Sequence, residues 1–291
     1  MLPFPRDYNE GMSVPMLEKV LDTTLAFDYV CAGIAAGPHA NPERALPCAL
    51  VFRIRDGEAD IRTDRACHAA SGDAMIIPPG TMHTLSVSGA RVTSEWVHVN
   101  YSLFGSIDLF TLIDAPLSVA GASAAAIGHA NERLAKLDGT PFSLKVSADR
   151  KAAGFELLSS VLAVSQLKEN AFDLLERARP IAAVLQYIRD NVSARFDRND
   201  LASMAGLSPA RFHDVFRSVT GTAPMEYVGR YRMRAAEVML IGSDRSIAEI
   251  AKGTGFRDQF YFSRAFKRSA GVSPSEFREM NRTHMHTVPV S

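Results

Sequence analysis

Leu201–Val228 reads LASMAGLSPARFHDVFRSVTGTAPMEYV, and Ile250–Arg278 reads IAKGTGFRDQFYFSRAFKRSAGVSPSEFR. Shifted by 49 positions, Leu201, Ala202, Gly206 and Leu207 fall on Ile250, Ala251, Gly255 and Phe256. Shifted by 50, Phe216, Arg217, Gly221 and Pro224 fall on Phe266, Lys267, Gly271 and Pro274. One extra residue separates the two frames, near the start of the second copy's second helix. Each copy is a short apolar helix, a tight turn at glycine and a longer basic helix, the pattern of a helix-turn-helix. Two copies point to two reading heads on one DNA face.

In the first copy Asp200–Ala205 forms the supporting helix, Gly206 the sharp turn, and Leu207 fills the space between the helices. Ser208 suits an N-cap and Pro209 the first helical turn. From Pro209 to about Val219, the residues Phe212, Val215, Phe216 and Val219 repeat at i, i+3, i+4 and i+7, a buried face. Ala210, Arg211, His213, Asp214 and Arg217 are left outward. In the second copy Ser246 caps a helix carrying Ile247, Ile250 and Ala251, and Gly255-Phe256 is the turn and plug. The helix from about Asp258 buries Phe262, Ala265 and Phe266, leaving Gln259, Phe260, Ser263, Arg264, Lys267 and Arg268 outward. Between the copies, Pro224–Ile241 is a single helix with Val228, Tyr231, Ala235 and Val238 on one face. It could hold the heads roughly 34 Å apart, in successive major grooves of double-stranded DNA.

Arginine pairs bidentately with guanine and glutamine with adenine, which makes Arg264 and Gln259 the leading base readers. Phe260 offers an apolar contact to a thymine methyl, and Ser263 shares its face. In the first head Arg211 and His213 are the candidates, beside Ala210. Asp214 can accept from cytosine or orient an arginine. Arg217, Arg230, Lys267 and Arg268 suit phosphate contacts, which set register without reading sequence.

Charge separates the halves. The 291 residues balance, with 32 Lys+Arg against 32 Asp+Glu. Residues 1–175 hold 14 against 20, giving −6, and residues 176–291 hold 18 against 12, giving +6. Such asymmetry marks the C-terminal half as the part that faces nucleic acid. No apolar run approaches the ~18–20 residues of a membrane span. The start, MLPFPRDYNEGMSVPM, lacks the basic-then-apolar order of a secretory signal. Cys31, Cys48 and Cys67 are odd in number and scattered, which fits reduced thiols in a cytoplasmic protein.

Residues 1–20 read as an arm, 21–175 as a sensing and dimerising domain, and 176–291 as the DNA-binding domain. From about Leu21 to Val119 the signal is β. Ala49–Arg55 is a strand ending at the turn pair Asp56-Gly57, and Ala59–Thr63, Asp73–Ile77, Thr84–Val87 and Arg91–Asn100 follow. Many short strands at this spacing argue for a small antiparallel barrel or sandwich. Helical periods take over at Ser123–Leu137 and Ala148–Lys168. The second is apolar around more than one stripe, as expected of a helix that packs on its own domain and on a second subunit. Asn170–Arg179 is charged and ends at Pro180, and the domain boundary is placed there.

IAEIAKGTGFRDQFYFSRAFKRSAGVSPSEFR resembles the C-terminal signature of the AraC/XylS family of bacterial transcription regulators. The marks are Gly255-Phe256, Asp258, Tyr261-Phe262-Ser263-Arg264, Phe266-Lys267, Gly271, Ser273-Pro274 and Phe277-Arg278. The resemblance covers about residues 180–282. It implies a seven-helix module that binds DNA through both heads, in a protein that activates transcription by contacting RNA polymerase. Ala210 stands where a larger side chain is common, and Asp214 where a basic or neutral one is common.

Gly72–His83, GDAMIIPPGTMH, resembles the second segment of cupin barrels and the ligand-binding domain of arabinose-type members of the same family. Glu95-Trp96-Val97-His98-Val99-Asn100 resembles the regulator version of that domain. The fold class expected is therefore α+β in two domains: a cupin-like β-barrel with flanking helices, then an all-α double helix-turn-helix. Cupin enzymes carry a His-x-His on the first segment, but here Gly57–Arg62 holds none, so neither a metal nor another cofactor is expected. Period two places Ser94, Trp96 and His98 on one strand face. With His83 and either Arg53 or Arg55 they form the candidate pocket for a small-molecule effector, a sugar or other small polar metabolite. The chain reads as a homodimeric, ligand-responsive regulator. Two alternatives stand beside it: a cupin-type metal enzyme fused to a DNA-binding module, and a constitutive regulator whose barrel only dimerises.

Overall fold

The computed structural model describes residues 24–104 and 107–282. The arm expected at residues 1–20 lies outside them. Ten strands occupy the first half: β1 (Ala26–Ala36), β2 (His39–Arg44), β3 (Ala49–Arg62), β4 (Ala66–Ala69), β5 (Ala74–Ile77), β6 (His83–Leu103), β7 (Ile107–Asp108), β8 (Ile113–Asp114), β9 (Ser118–Val119) and β10 (Gln166–Leu167). Eight of them form one antiparallel sheet in the order β1-β6-β3-β5-β9, with β2 and β7 added to β6 and β4 to β3. Among the described residues nothing pairs β1 with β9, so the sheet is open and does not close as a barrel.

Two expected breaks in the strands are absent. β3 runs straight through Asp56-Gly57, and β6 is one strand from His83 to Leu103 where two were expected. The register between them shifts around Asp56 instead. Gly57 and Gly89 both have positive φ, and a Cβ at Gly57 would sit 2.8 Å from the Ser88 carbonyl oxygen. Two glycines face to face let both long strands bend together, making a bulge of what reads locally as a hairpin turn.

Alternation along β3 and β6 separates two cores. Leu50, Phe52, Ile54, Leu85, Val87 and Trp96 fill the concave side. Val51, Val97, Val99, Tyr101 and Leu103 fill the other, under α1 (Gly121–Leu137) and α2 (Leu144–Leu162). α2 stops at Leu162, short of the expected Lys168. The Ser165 hydroxyl donates to the Val161 carbonyl, and Gln166–Leu167 leaves to pair with Ile113–Asp114. The charged stretch read as a boundary is itself helical, α3 (Ala171–Ala178), and packs on the DNA-binding side.

The second half holds α4 (Ala182–Asp190), α5 (Arg198–Met204), α6 (Pro209–Thr220), α7 (Pro224–Gly242), α8 (Ile247–Gly253), α9 (Gln259–Ala270) and α10 (Pro274–Arg282). α5-α6 and α8-α9 are the two heads, and α7 joins them. α7 also docks on the sheet: Ile241 enters the concave core, and a Cβ at Gly242 would lie 2.8 Å from the Val30 carbonyl oxygen. Arg232 on α7 reaches two ways. Its guanidinium donates to the Val192 and Ala194 carbonyls ahead of the first head, and a Cβ at Gly255 in the second head would lie 2.9 Å from its Cζ.

Candidate DNA interface and the cleft behind it

The recognition helices are built alike. Ser208 caps α6 by accepting from the Arg211 N–H, Pro209 opens it, and Gly221 at φ 74° closes it. Asp258 caps α9 by accepting from the Phe260 and Tyr261 N–H groups, and Gly271 at φ 81° closes it. Caps satisfy donors that the first turn leaves open, and a left-handed glycine ends the helix without a Cβ penalty. Ser246 and Glu249 add a capping box at α8. Phe212 and Phe216 are fully buried in the first head, and Phe262 and Phe266 in the second. Each such side chain contributes about 1.5–3 kcal/mol of burial. The buried aromatics fix which side of each helix faces out.

On α6 Ala210, Arg211, Asp214 and Arg217 are exposed and His213 is half-buried. The His213 imidazole lies 3.7 Å from the Asp214 carboxylate, so that carboxylate is directed at its neighbour. On α9 Gln259, Phe260, Arg264, Lys267 and Arg268 are exposed and Ser263 is half-buried. Phe260 is 70% exposed. Arg230 stands apart from both helices. It sits on α7, pairs with Glu226 at 2.7 Å and lines the clefts between α7 and the sheet.

The residues considered for a sensing pocket separate into two groups. Ser94, Trp96 and His98 face the concave core around a cavity of about 30 Å³, room for a single water. His83 is buried close by, and its Nδ1 lies 2.8 Å from the Thr81 carbonyl oxygen. Burial, with Arg44 adding to it, pushes His98 down to about 3 and holds His83 below its ordinary value, so both rings are neutral near pH 7. Arg53 and Arg55 point the other way, under α1. Arg55 pairs with the buried Glu95 at 2.9 Å, and Arg53 fills the space where Gly128 has no side chain. Burial raises the Glu95 carboxyl, while Arg55 and Arg53 oppose that rise. Among the described residues no three His, Cys, Asp or Glu converge as metal ligands.

A far larger space lies between the sheet and the helical half. It measures about 530 Å³ and is walled by Asp28, Asn100, Ser102 and Asp108 on one side and Arg189, Thr222, Tyr227, Tyr231 and Arg234 on the other. Two ion pairs cross it: Arg189 to Asp28 at 2.8 Å and Arg234 to Asp108 at 3.1 Å. Arg234 also donates to the Pro47 carbonyl at 2.9 Å. None of these pairings is visible in local sequence, since the partners lie more than a hundred positions apart.

A helix-turn-helix domain family matches residues 201–280, which takes in both heads. Over 239 residues the chain is 27% identical to the MmsAB operon regulatory protein of Pseudomonas aeruginosa, covering 80% of this chain and 72% of that one. Over 94 residues it is 38% identical to the arabinose operon regulatory protein of Escherichia coli, covering 32% of each. Residues 201–280 form a helix-turn-helix domain of the AraC type, and the relatives matched are regulators of the AraC/XylS kind. Those relatives are regulators of transcription that carry DNA-binding domains of this kind. ToxT from Vibrio cholerae overlays 90% of this chain, and 97% of its own, loosely, at a TM-score of 0.47 and 13% identity.

Proposed function

We propose that this regulator binds DNA in two successive major grooves through α6 and α9, responds to a small-molecule effector, and activates transcription by contacting RNA polymerase. The observation that carries the proposal is the position of α7. One helix joins the two heads, inserts Ile241 into the sheet's core and holds Asp108 and Pro47 through Arg234. A change on the sheet side therefore bears directly on the element that spaces the heads. Base reading is assigned to Gln259, Phe260, Ser263 and Arg264 in the second head and to Ala210, Arg211, His213 and Asp214 in the first. Phosphate contacts are assigned to Arg217, Arg230, Lys267 and Arg268. The C-terminal half supplies the net +6 charge that such contacts use.

Several names of relatives support regulation of an operon. One is an arabinose regulator, one a raffinose regulator, and one is named a transcriptional activator. Homodimerisation through α2 fits that role, with Phe142 and Leu144 at its start 82% and 85% exposed. No described helix is long and apolar enough to cross a membrane. A cytoplasmic site of action is part of the proposal, since that is where a regulator of this kind meets its DNA. Footprinting of the full chain on the DNA upstream of its own and neighbouring genes tests the reading. Two protected half-sites one helical turn apart are expected. Protection of a single half-site would remove the two-head mechanism.

A further inference from the structure

α7 carries arginines at positions 230, 232 and 234, and they serve different ends. Arg230 and Arg234, about one helical turn apart, share the side that faces the clefts toward the sheet. Arg232 lies on the opposite side of the helix, in a row with Val228, Ala236 and Leu240 at steps of four. The rest of that row is apolar and buried. Val228 belongs to the core of the first head, and Ala236 and Leu240 belong to the core of the second. Arg232 therefore stands where one core ends and the other begins.

A cation on an apolar row is costly unless its donors are matched. Here Nε donates to the Val192 carbonyl at 3.0 Å, and Nη2 donates to the Ala194 carbonyl. Both acceptors lie in the loop between α4 and α5, just ahead of the first head. Phe196, from the same loop, holds its ring centroid 5.8 Å from Cζ. The second head meets the same guanidinium at its turn. A Cβ at Gly255 would lie 2.9 Å from Cζ, 3.0 Å from Nη2 and 3.1 Å from Nε, so the bare backbone there packs directly on the group. A guanidinium is planar and rigid, and two carbonyls bound to it fix its orientation. The second head's turn thus rests on a surface placed by the first head's loop, and α9 starts directly after that turn.

We propose that Arg232 is the positioning residue that fixes the separation of the two reading heads, and with it the spacing of DNA half-sites that the chain accepts. The proposal rests on the two-head reading above. Each head packs on α7 through its own core, and the two cores are separate clusters. Without the guanidinium, loop and turn are each held by α7 alone, and the heads gain freedom to move against one another. Engagement of the second head then becomes a less favoured intramolecular step, while binding by either head alone is unchanged.

The test uses the full chain in two measurements. In the first, without DNA, spin labels are placed at Ser218 on α6 and Ser269 on α9, both exposed, with Cys31, Cys48 and Cys67 replaced by alanine. Pulsed dipolar spectroscopy should give a narrow distance distribution when Arg232 is present and a broader one in Arg232→Ala and Arg232→Met. Arg232→Met keeps an unbranched side chain on the apolar row and drops both hydrogen bonds, so it covers the case in which Arg232→Ala does not fold. In the second, DNA is selected by the chain from a random-sequence pool, and its half-sites are then moved together or apart by single base pairs. In Arg232→Met, affinity at the best spacing should fall about tenfold, and the preference for that spacing over its neighbours should shrink by a similar factor. Affinity for DNA with one half-site should not change. Arg232→Lys, which lacks the fork that serves two carbonyls, should fall between. An unchanged distance distribution in Arg232→Met would overturn the proposal. So would an unaltered spacing preference, or an equal loss of affinity for one and for two half-sites. If the pool yields DNA with one half-site only, the two-head reading falls, and the distance distribution alone decides whether Arg232 holds the heads.

Discussion

The two heads share a skeleton and differ in what surrounds it. Phe212 and Phe216 sit in a core that continues through α3, α4 and the helices over the sheet. Phe262 and Phe266 sit in a separate cluster with Ala236, Leu240, Ile250 and Ala251. The outer faces differ too. α9 presents Gln259, Phe260, Arg264, Lys267 and Arg268, while α6 presents Ala210 and an imidazole facing a carboxylate. The first head's core thus runs on into that of the sheet's helices, whereas the second keeps its own cluster and meets the sheet through Phe277 and Asn281. The second head carries the longer reading side chains.

The largest effect should come from cutting the two cores. Phe216→Ala and Phe266→Ala each remove a fully buried ring and should cost about 3–5 kcal/mol. If the cores are as separate as their packing, hydrogen exchange will show Phe266→Ala loosening α8 to α10 while the sheet stays protected. Phe216→Ala will loosen the whole chain. Equal loosening by both would make the heads one cooperative unit and erase the distinction.

Reading comes next. Arg264→Ala should cost about 1–3 kcal/mol and relax specificity at one base position, with a smaller loss for Arg211→Ala. Arg268→Ala should weaken all sequences alike and reduce the salt slope by about one. Anisotropy titrations against a set of single-base variants at several salt concentrations separate these outcomes. A larger loss from Arg211→Ala would reverse the ranking of the heads.

The caps give the smallest effect. Asp258 accepts from two N–H groups, at 3.0 and 3.1 Å, and Ser208 from one at 3.3 Å. Asp258→Ala should cost about 1 kcal/mol and Ser208→Ala less, read by chemical denaturation. Indistinguishable costs would show that the second N–H contributes nothing.

The heads are legible in sequence because their determinants are local. A capping Ser or Asp, a proline at the first turn, phenylalanines at i and i+4 and a closing glycine all lie within a dozen residues. The bounds of α6 and α9 follow from them. The sheet is less legible because partners far along the chain override local signals. Asp56-Gly57 is a hairpin pair by composition, yet pairing with β6 and the opposing Gly89 turn it into a bulge. Trp96 was legible as an inward side chain but the space around it was not, since cavity volume depends on every neighbour at once. The pairs Arg189 to Asp28 and Arg234 to Asp108 leave no periodic trace, because each needs only one residue at each end.

Arg232 has a consequence for protein engineering. Its guanidinium ties the loop before the first head and occupies the space that Gly255 leaves open in the second. The two readers are therefore not interchangeable cassettes. A chimaera that grafts either helix pair from another protein inherits a misfit at this one side chain unless the segment from Val192 to Gly255 travels together.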